Sequence, residues 1–276
     1  MLNRLWSGEY AWHMTQKIGD GTYSVDPFSL YSLRVVTHSL RGNPMQAATG
    51  FVVAHDGAHY LVTNWHVPSG RDSESYALID PSGRKPHSIT IYHHSAITKH
   101  GIGAWTLREE SLYGLDGSQR WIEHSKRCIK DMDNWDEYNV DVVALRLLEH
   151  DDKVRLYSLD VARQPSLASL APGLPISIVG YPFGQSGADM FPIWKTGHMA
   201  SDVGAHTDGR HFLIDATTRD GMSGSPVFSR RWLLQDDGRV RIDTAFAGVY
   251  SGRLRGDTEL GIVWSARMVP QLLPAT

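Results

Sequence analysis

Short runs of strand-forming residues, broken every few positions by glycine, proline or charge, recur from residue 30 to residue 264. No other feature of the chain constrains its fold so strongly. Six such runs fall in the first half, at 30–36, 51–54, 60–63, 88–92, 104–107 and 141–147. Six more fall in the second, at 176–179, 193–200, 211–216, 226–234, 245–250 and 261–264. Even spacing of short apolar runs favours antiparallel barrels over alternating strands and helices. The expected class is therefore all-β, with two six-stranded antiparallel β-barrels. Asp56-Gly57 between two of the runs is a hairpin turn, because both residues tolerate positive φ. Residues 69–87 and 112–138 are polar and turn-rich, and are expected to be loops or insertions. Three units follow: an extension over 1–29 that includes a short helix, a first barrel over 30–150, and 151–276 as linker, second barrel and C-terminal segment. A short helix is expected over 265–273, limited by Pro270.

At 276 residues and 41% hydrophobic content, the chain is long enough for two modest cores. A net charge of −3 offers nothing to nucleic acid or to an anionic membrane. Cys128 is the only cysteine, so an intrachain disulfide is excluded. With no signal-peptide-like apolar run near the N-terminus, the expected location is the cytoplasm.

Against this β background stands Asp220-Gly221-Met222-Ser223-Gly224-Ser225-Pro226-Val227. Flanking glycines make a sharp turn that exposes the Ser223 hydroxyl and aims backbone N–H groups outward. A serine hydroxyl becomes a useful nucleophile only when a base takes its proton and a third group orients that base. His66 sits in Leu61-Val62-Thr63-Asn64-Trp65-His66-Val67, just past a strand. Asp141 opens the apolar run ending at Leu147, where a carboxylate needs a hydrogen-bond donor such as an imidazole N–H. The order His, Asp, Ser is informative. An α/β-hydrolase places its histidine after the serine, yet the last histidine here is His211; a subtilisin-type enzyme places its aspartate before the histidine.

Thr63-Asn64-Trp65-His66-Val67, Asp141-Val142-Val143-Ala144-Leu145 and Gly221-Met222-Ser223-Gly224-Ser225-Pro226-Val227 together resemble the three motifs of the trypsin-like (chymotrypsin-fold) serine peptidases. The nearest likeness is to their bacterial V8/glutamyl-endopeptidase-like and HtrA-like branch, over about residues 30–266. That resemblance implies a groove between two barrels and cofactor-free hydrolysis of peptide bonds through an acyl-enzyme. It makes Ser223 the nucleophile, His66 the general base and acid, and Asp141 the orienting carboxylate. The N–H groups of Gly221 and Ser223 would form the oxyanion hole. Ser251 would support the aspartate, and Ser251, Gly252 and Arg253 would pair with the backbone of a protein or peptide substrate.

This sequence departs from the family pattern in two places. Met222 stands where zymogen-activated relatives carry an aspartate, so activation by a new N-terminal amine is not expected. Thr218 matches a threonine of Glu- or Gln-selective relatives, but Tyr250 replaces their histidine. Arg219 and Arg253 near the presumed rim would favour an acidic substrate residue. The long insertion would give a regulatory or substrate protein a place to dock. No metal site is expected from His93, His94, His100, His124, Cys128 or the Asp131-Met132-Asp133-Asn134 run, since none has ligand spacing. The alternative function is a non-catalytic module of the same fold that binds peptides or partner proteins.

Overall fold

A computed structural model describes residues 14–18, 21–95, 104–124, 140–148, 152–162, 169–187, 190–203, 209–254 and 258–275. Ahead of the main body, β1 (Met14–Ile18) and β2 (Gly21–Val25) pair as an antiparallel hairpin. A single 3-10 turn, Pro27–Leu30, follows, with the Asp26 carboxylate accepting from the Phe28 N–H.

The first sheet contains β3 (Ser32–Ser39), β4 (Pro44–His55), β5 (Ala58–Thr63), β6 (Pro86–Ser95), β7 (Trp105–Ser111), β8 (Trp121–Glu123), β9 (Val143–Arg146) and β10 (Val154–Arg155). Their order is β10-β6-β3-β4-β5-β9-β8, with β7 also pairing β6. This sheet has eight strands where six were expected. The two additions, β8 and β10, come from segments too short or too polar to show a pattern: one inside the insertion and one in the linker. Residues 125–138 of the insertion lie outside the described residues.

The second sheet comprises β11 (Pro175–Gly180), β12 (Ile193–Met199), β13 (His211–Asp215), β14 (Pro226–Leu234), β15 (Val240–Arg253) and β16 (Leu260–Ser265). It closes as a six-stranded barrel in the order β11-β12-β13-β16-β15-β14. The C-terminal helix is reduced to two 3-10 turns, Ala266–Met268 and Pro270–Leu272, because Pro270 cannot continue a helical ladder.

Period-two alternation lets single strands serve two cores. Tyr60 and Val62 of β5 face a central core shared with Val179, Phe228, Phe246 and Trp264 of the barrel, while Leu61 faces the interior of the first sheet. On β15 the alternation is broken deliberately. Val227 pairs Gly248 but Phe228 pairs Phe246, so Ala247 is an extra residue. That bulge changes parity, sending Val249 to the central core and Tyr250 into the barrel interior.

Candidate active site

His66 begins α1 (His66–Ser69), a single turn after β5 that ends on Gly70 at φ 63°. Antiparallel register places its partner: Thr63 pairs Val143, so the chain just before β9 runs beside the chain just after β5. Asp141 is consequently carried to His66 across 75 residues of sequence. Its Oδ1 accepts the His66 backbone N–H at 2.9 Å, and its Oδ2 lies 2.8 Å from His66 Nδ1. Asn64 reinforces the placement, donating from Nδ2 to the Asp141 carbonyl at 2.6 Å. The carboxylate is 2% exposed and the imidazole 13%. Burial works against charging the imidazole, but the facing Asp141 charge and hydrogen bond, with Asp72 further off, outweigh it and raise the His66 pKa. With its Nδ1 proton engaged, the ring presents an Nε2 lone pair.

Asp141 Oδ2 has a second donor, the Ser251 hydroxyl at 2.5 Å. Ser251 reaches it because Tyr250 pairs Val263 while Gly252 pairs Ile262, leaving Ser251 as the extra residue of another bulge. Its carbonyl is thereby freed from the ladder and accepts the Ser223 hydroxyl at 3.2 Å. Among the described residues, this is the hydrogen bond made by Ser223 Oγ.

Gly221 and Gly224 hold the serine turn at φ 91° and 84°. A Cβ on Gly221 would collide with the Tyr181 carbonyl, and one on Gly224 with the Thr49 carbonyl. Neighbouring N–H groups are all satisfied: Met222 donates to Arg219 O, Gly224 to Tyr250 O and Ser225 to Met222 O. The N–H groups of Gly221 and Ser223 have no acceptor among the described residues. The Asp220 carbonyl accepts from Phe183 N–H at 2.5 Å on the body side. A trans peptide then points the Gly221 N–H the opposite way. Two unpaired donors flanking a nucleophile-type hydroxyl can stabilise a developing oxyanion.

The model of the trypsin-like peptidase domain matches residues 48–234, which hold His66, Asp141 and Ser223. The chain is a trypsin-like peptidase. The peptidase is thus a serine endopeptidase acting on protein or peptide. Among solved structures, the Rv3671c protease from M. tuberculosis in its active form is similar, with a TM-score of 0.48 and 18% identity over 89% of this chain and 80% of that one. The HtrA-type protease AlgW with a tripeptide is also similar, with a TM-score of 0.47 and 13% identity over 88% of this chain and 58% of that one. No curated protein matches the sequence.

In the peptidase the strand carrying the other predicted positions runs beside the serine turn, Gly224 N–H donating to the Tyr250 carbonyl at 2.9 Å. β14 stops pairing at Val249, so the outer edge of 251–253 has no strand partner among the described residues. Gly252 is open on its Cβ side. Thr218 Oγ1 and Tyr250 OH lie 2.5 Å apart, both buried. Arg219 turns back onto the Thr218 carbonyl at 2.7 Å, so its charge is partly engaged at the rim. Met222 is fully buried in the barrel core, an apolar anchor where an aspartate would need a charge partner.

Sequence reasoning missed Thr49. This buried residue donates from Oγ1 to the Gly221 carbonyl at 2.8 Å, from its N–H to the Ser223 carbonyl at 2.8 Å, and accepts from Tyr181 N–H at 3.1 Å. It ties the serine loop of the barrel to β4 of the first sheet. Its neighbours Gln46, Ala47, Ala48 and Gly50 carry no motif that would have marked it.

His94 packs its ring near Tyr157 and Phe191, and burial pushes its pKa down to about 4, which is the behaviour of a packed histidine. His100, Cys128 and residues 131–134 lie outside the described residues. Among the described residues no three metal-ligating side chains cluster, and no helix is long and apolar enough to cross a membrane.

Proposed function

We propose that the peptidase cleaves its substrate through an acyl-enzyme on Ser223, with His66 as general base then acid and Asp141 holding the imidazole. One observation carries this reading: Ser251 is hydrogen-bonded both to the Asp141–His66 pair and to the Ser223 hydroxyl. With substrate bound, rotation about the Ser223 Cα–Cβ bond moves the hydroxyl from the Ser251 carbonyl to His66 Nε2. Apo-state hydrogen bonds at such sites commonly differ from those of the reacting complex. Attack forms the Oγ–carbon bond while the proton passes to Nε2, and the oxyanion meets the Gly221 and Ser223 N–H groups. His66 then protonates the leaving amine. Water repeats the sequence to release the acid and restore Ser223.

A fluorophosphonate probe tests the assignment. Labelling is expected on Ser223 in the wild type and absent in Ser223→Ala, with turnover of a casein substrate falling about a million-fold. A folded wild type that neither labels nor cleaves would favour the non-catalytic alternative. New N-termini in a host lysate treated with wild type, compared with Ser223→Ala, identify the protein substrates.

A further inference from the structure

We propose that Tyr250 plugs the primary substrate pocket, so that the peptidase cuts after small residues such as glycine, alanine or serine. The inference rests on the acyl-enzyme reading, which fixes where the substrate carbonyl sits. A carbonyl held by the Gly221 and Ser223 N–H groups, on a peptide paired along the free edge of 251–253, sends its own residue's side chain into one gap. The resemblance that assigned Thr218 and Tyr250 to substrate binding puts that gap between the segment 218–220 and the strand 250–253, whose side chains meet at Thr218 Oγ1 and Tyr250 OH.

Tyr250 fills it. The bulge at Ala247 turns the Tyr250 side chain into the barrel end beneath this gap. The ring lies against Gly261 of β16, where an added Cβ would stand 2.8 Å from Tyr250 Cε2. Its hydroxyl spans to Thr218 Oγ1 at 2.5 Å on the opposite wall. Thr218 is 0% and Tyr250 2% exposed, so the pair is sealed from solvent and no open depth runs between the two segments. A substrate side chain of any length therefore meets a closed floor.

The floor is also uncharged. Burial raises the Tyr250 pKa, with Thr218 and Arg253 opposing, so the phenol stays neutral. Thr218 and Tyr250 satisfy one another, and Arg219 is turned to the Thr218 carbonyl rather than into the gap. Neither an acidic nor a basic side chain would gain a counter-charge from the Thr218–Tyr250 pair itself. Excluding one methylene group is worth roughly 10–200-fold in kcat/KM, and leucine or phenylalanine exceeds alanine by several.

Two measurements test the plug. Peptidyl diphenyl phosphonates identical except for alanine or phenylalanine at the reacting position are compared on the wild type by inactivation rate. Alanine is expected to react at least about tenfold faster, and equal rates would overturn the inference. Peptide substrates with glycine, alanine, serine, leucine, phenylalanine or glutamate before the cut are then compared in Tyr250→Val and Tyr250→Phe. The valine variant should raise kcat/KM for leucine or phenylalanine relative to alanine at least about tenfold. The phenylalanine variant, which keeps the ring, should retain the preference for small residues. A folded valine variant with an unaltered profile would refute the plug; should that variant fail to fold, the wild-type phosphonate comparison decides alone. Fluorophosphonate labelling separates the two levels. No labelling of Ser223 defeats the acyl-enzyme reading and this one with it, whereas labelling with equal phosphonate rates defeats only the plug.

Discussion

The Ser251 hydroxyl donates to Asp141 Oδ2 at 2.5 Å across 110 residues of sequence, while the Ser251 carbonyl accepts the Ser223 hydroxyl. A bulged residue serves both contacts because it has left the strand ladder. Beyond Val249 the outer edge of β15 has no strand partner among the described residues, which leaves the carbonyl free to accept, and the bulge turns the side chain toward Asp141. The barrel thereby grips a carboxylate that belongs to the first sheet.

Removing that grip should be measurable. Ser251→Ala leaves the Asp141 carboxylate with the two His66 donors alone, and the lost bond is expected to cost about 1–3 kcal/mol of stability in chemical denaturation. Because the imidazole is held less firmly, kcat should fall more than KM rises. Unchanged stability together with unchanged kcat would show that the contact orients nothing.

Protonation of His66 sets the pH dependence. Its pKa is raised above 6.5, and only the neutral ring can accept the Ser223 proton. The kcat/KM of the wild type should therefore rise with pH, with a midpoint above 6.5. In Asp141→Asn the midpoint should move down, since burial remains and the opposing charge is gone. A wild-type midpoint below 6.5 would contradict the arrangement. Linkage runs the other way: stability from protonated His66 is fully present below the unfolded value, near 6.5, and is lost as pH rises through the raised folded value. The melting difference between wild type and His66→Ala should accordingly shrink across that interval.

Thr49 is expected to act as a positioning residue. Thr49→Val strips the Gly221 carbonyl of its donor and the Tyr181 N–H of its acceptor inside a buried joint. The expected loss is about 1–3 kcal/mol in stability. Turnover should drop with little change in KM, because the Gly221 N–H is no longer held in line. Retained kcat in a destabilised variant would reduce Thr49 to a structural role.

At Gly221 the backbone itself is the constraint. Gly221→Ala must accommodate φ 91° and a contact with the Tyr181 carbonyl. Moving this one N–H donor out of place should reduce kcat about 100–1,000-fold, while fluorophosphonate labelling of Ser223 slows in parallel. Near-wild-type kcat would mean that this donor does not meet the oxyanion.

The closed six-stranded barrel was legible because each of its strands carries its own short apolar run between turn residues. The first sheet was less so: β8 and β10 are three and two residues long and take their identity from the partners they pair with. His66, Asp141 and Ser223 could be proposed from sequence because each sits in a local motif, and the structure brings His66 and Asp141 into contact. The closeness of Ser251 to Asp141 had support only from the family resemblance, since two bulges produce it and neither has a sequence signature.

Local chemistry belongs to the chain as written: which serine has a glycine-framed turn, which histidine closely follows a strand, which aspartate precedes an apolar run. Tertiary structure alone decided the joint at Thr49, the engagement of Ser223 with Ser251 and the position of the Tyr250 ring between Gly261 and Thr218. The reason is register. Propensity and positive φ are properties of a few adjacent residues, whereas a one-residue bulge reverses which face every later side chain occupies.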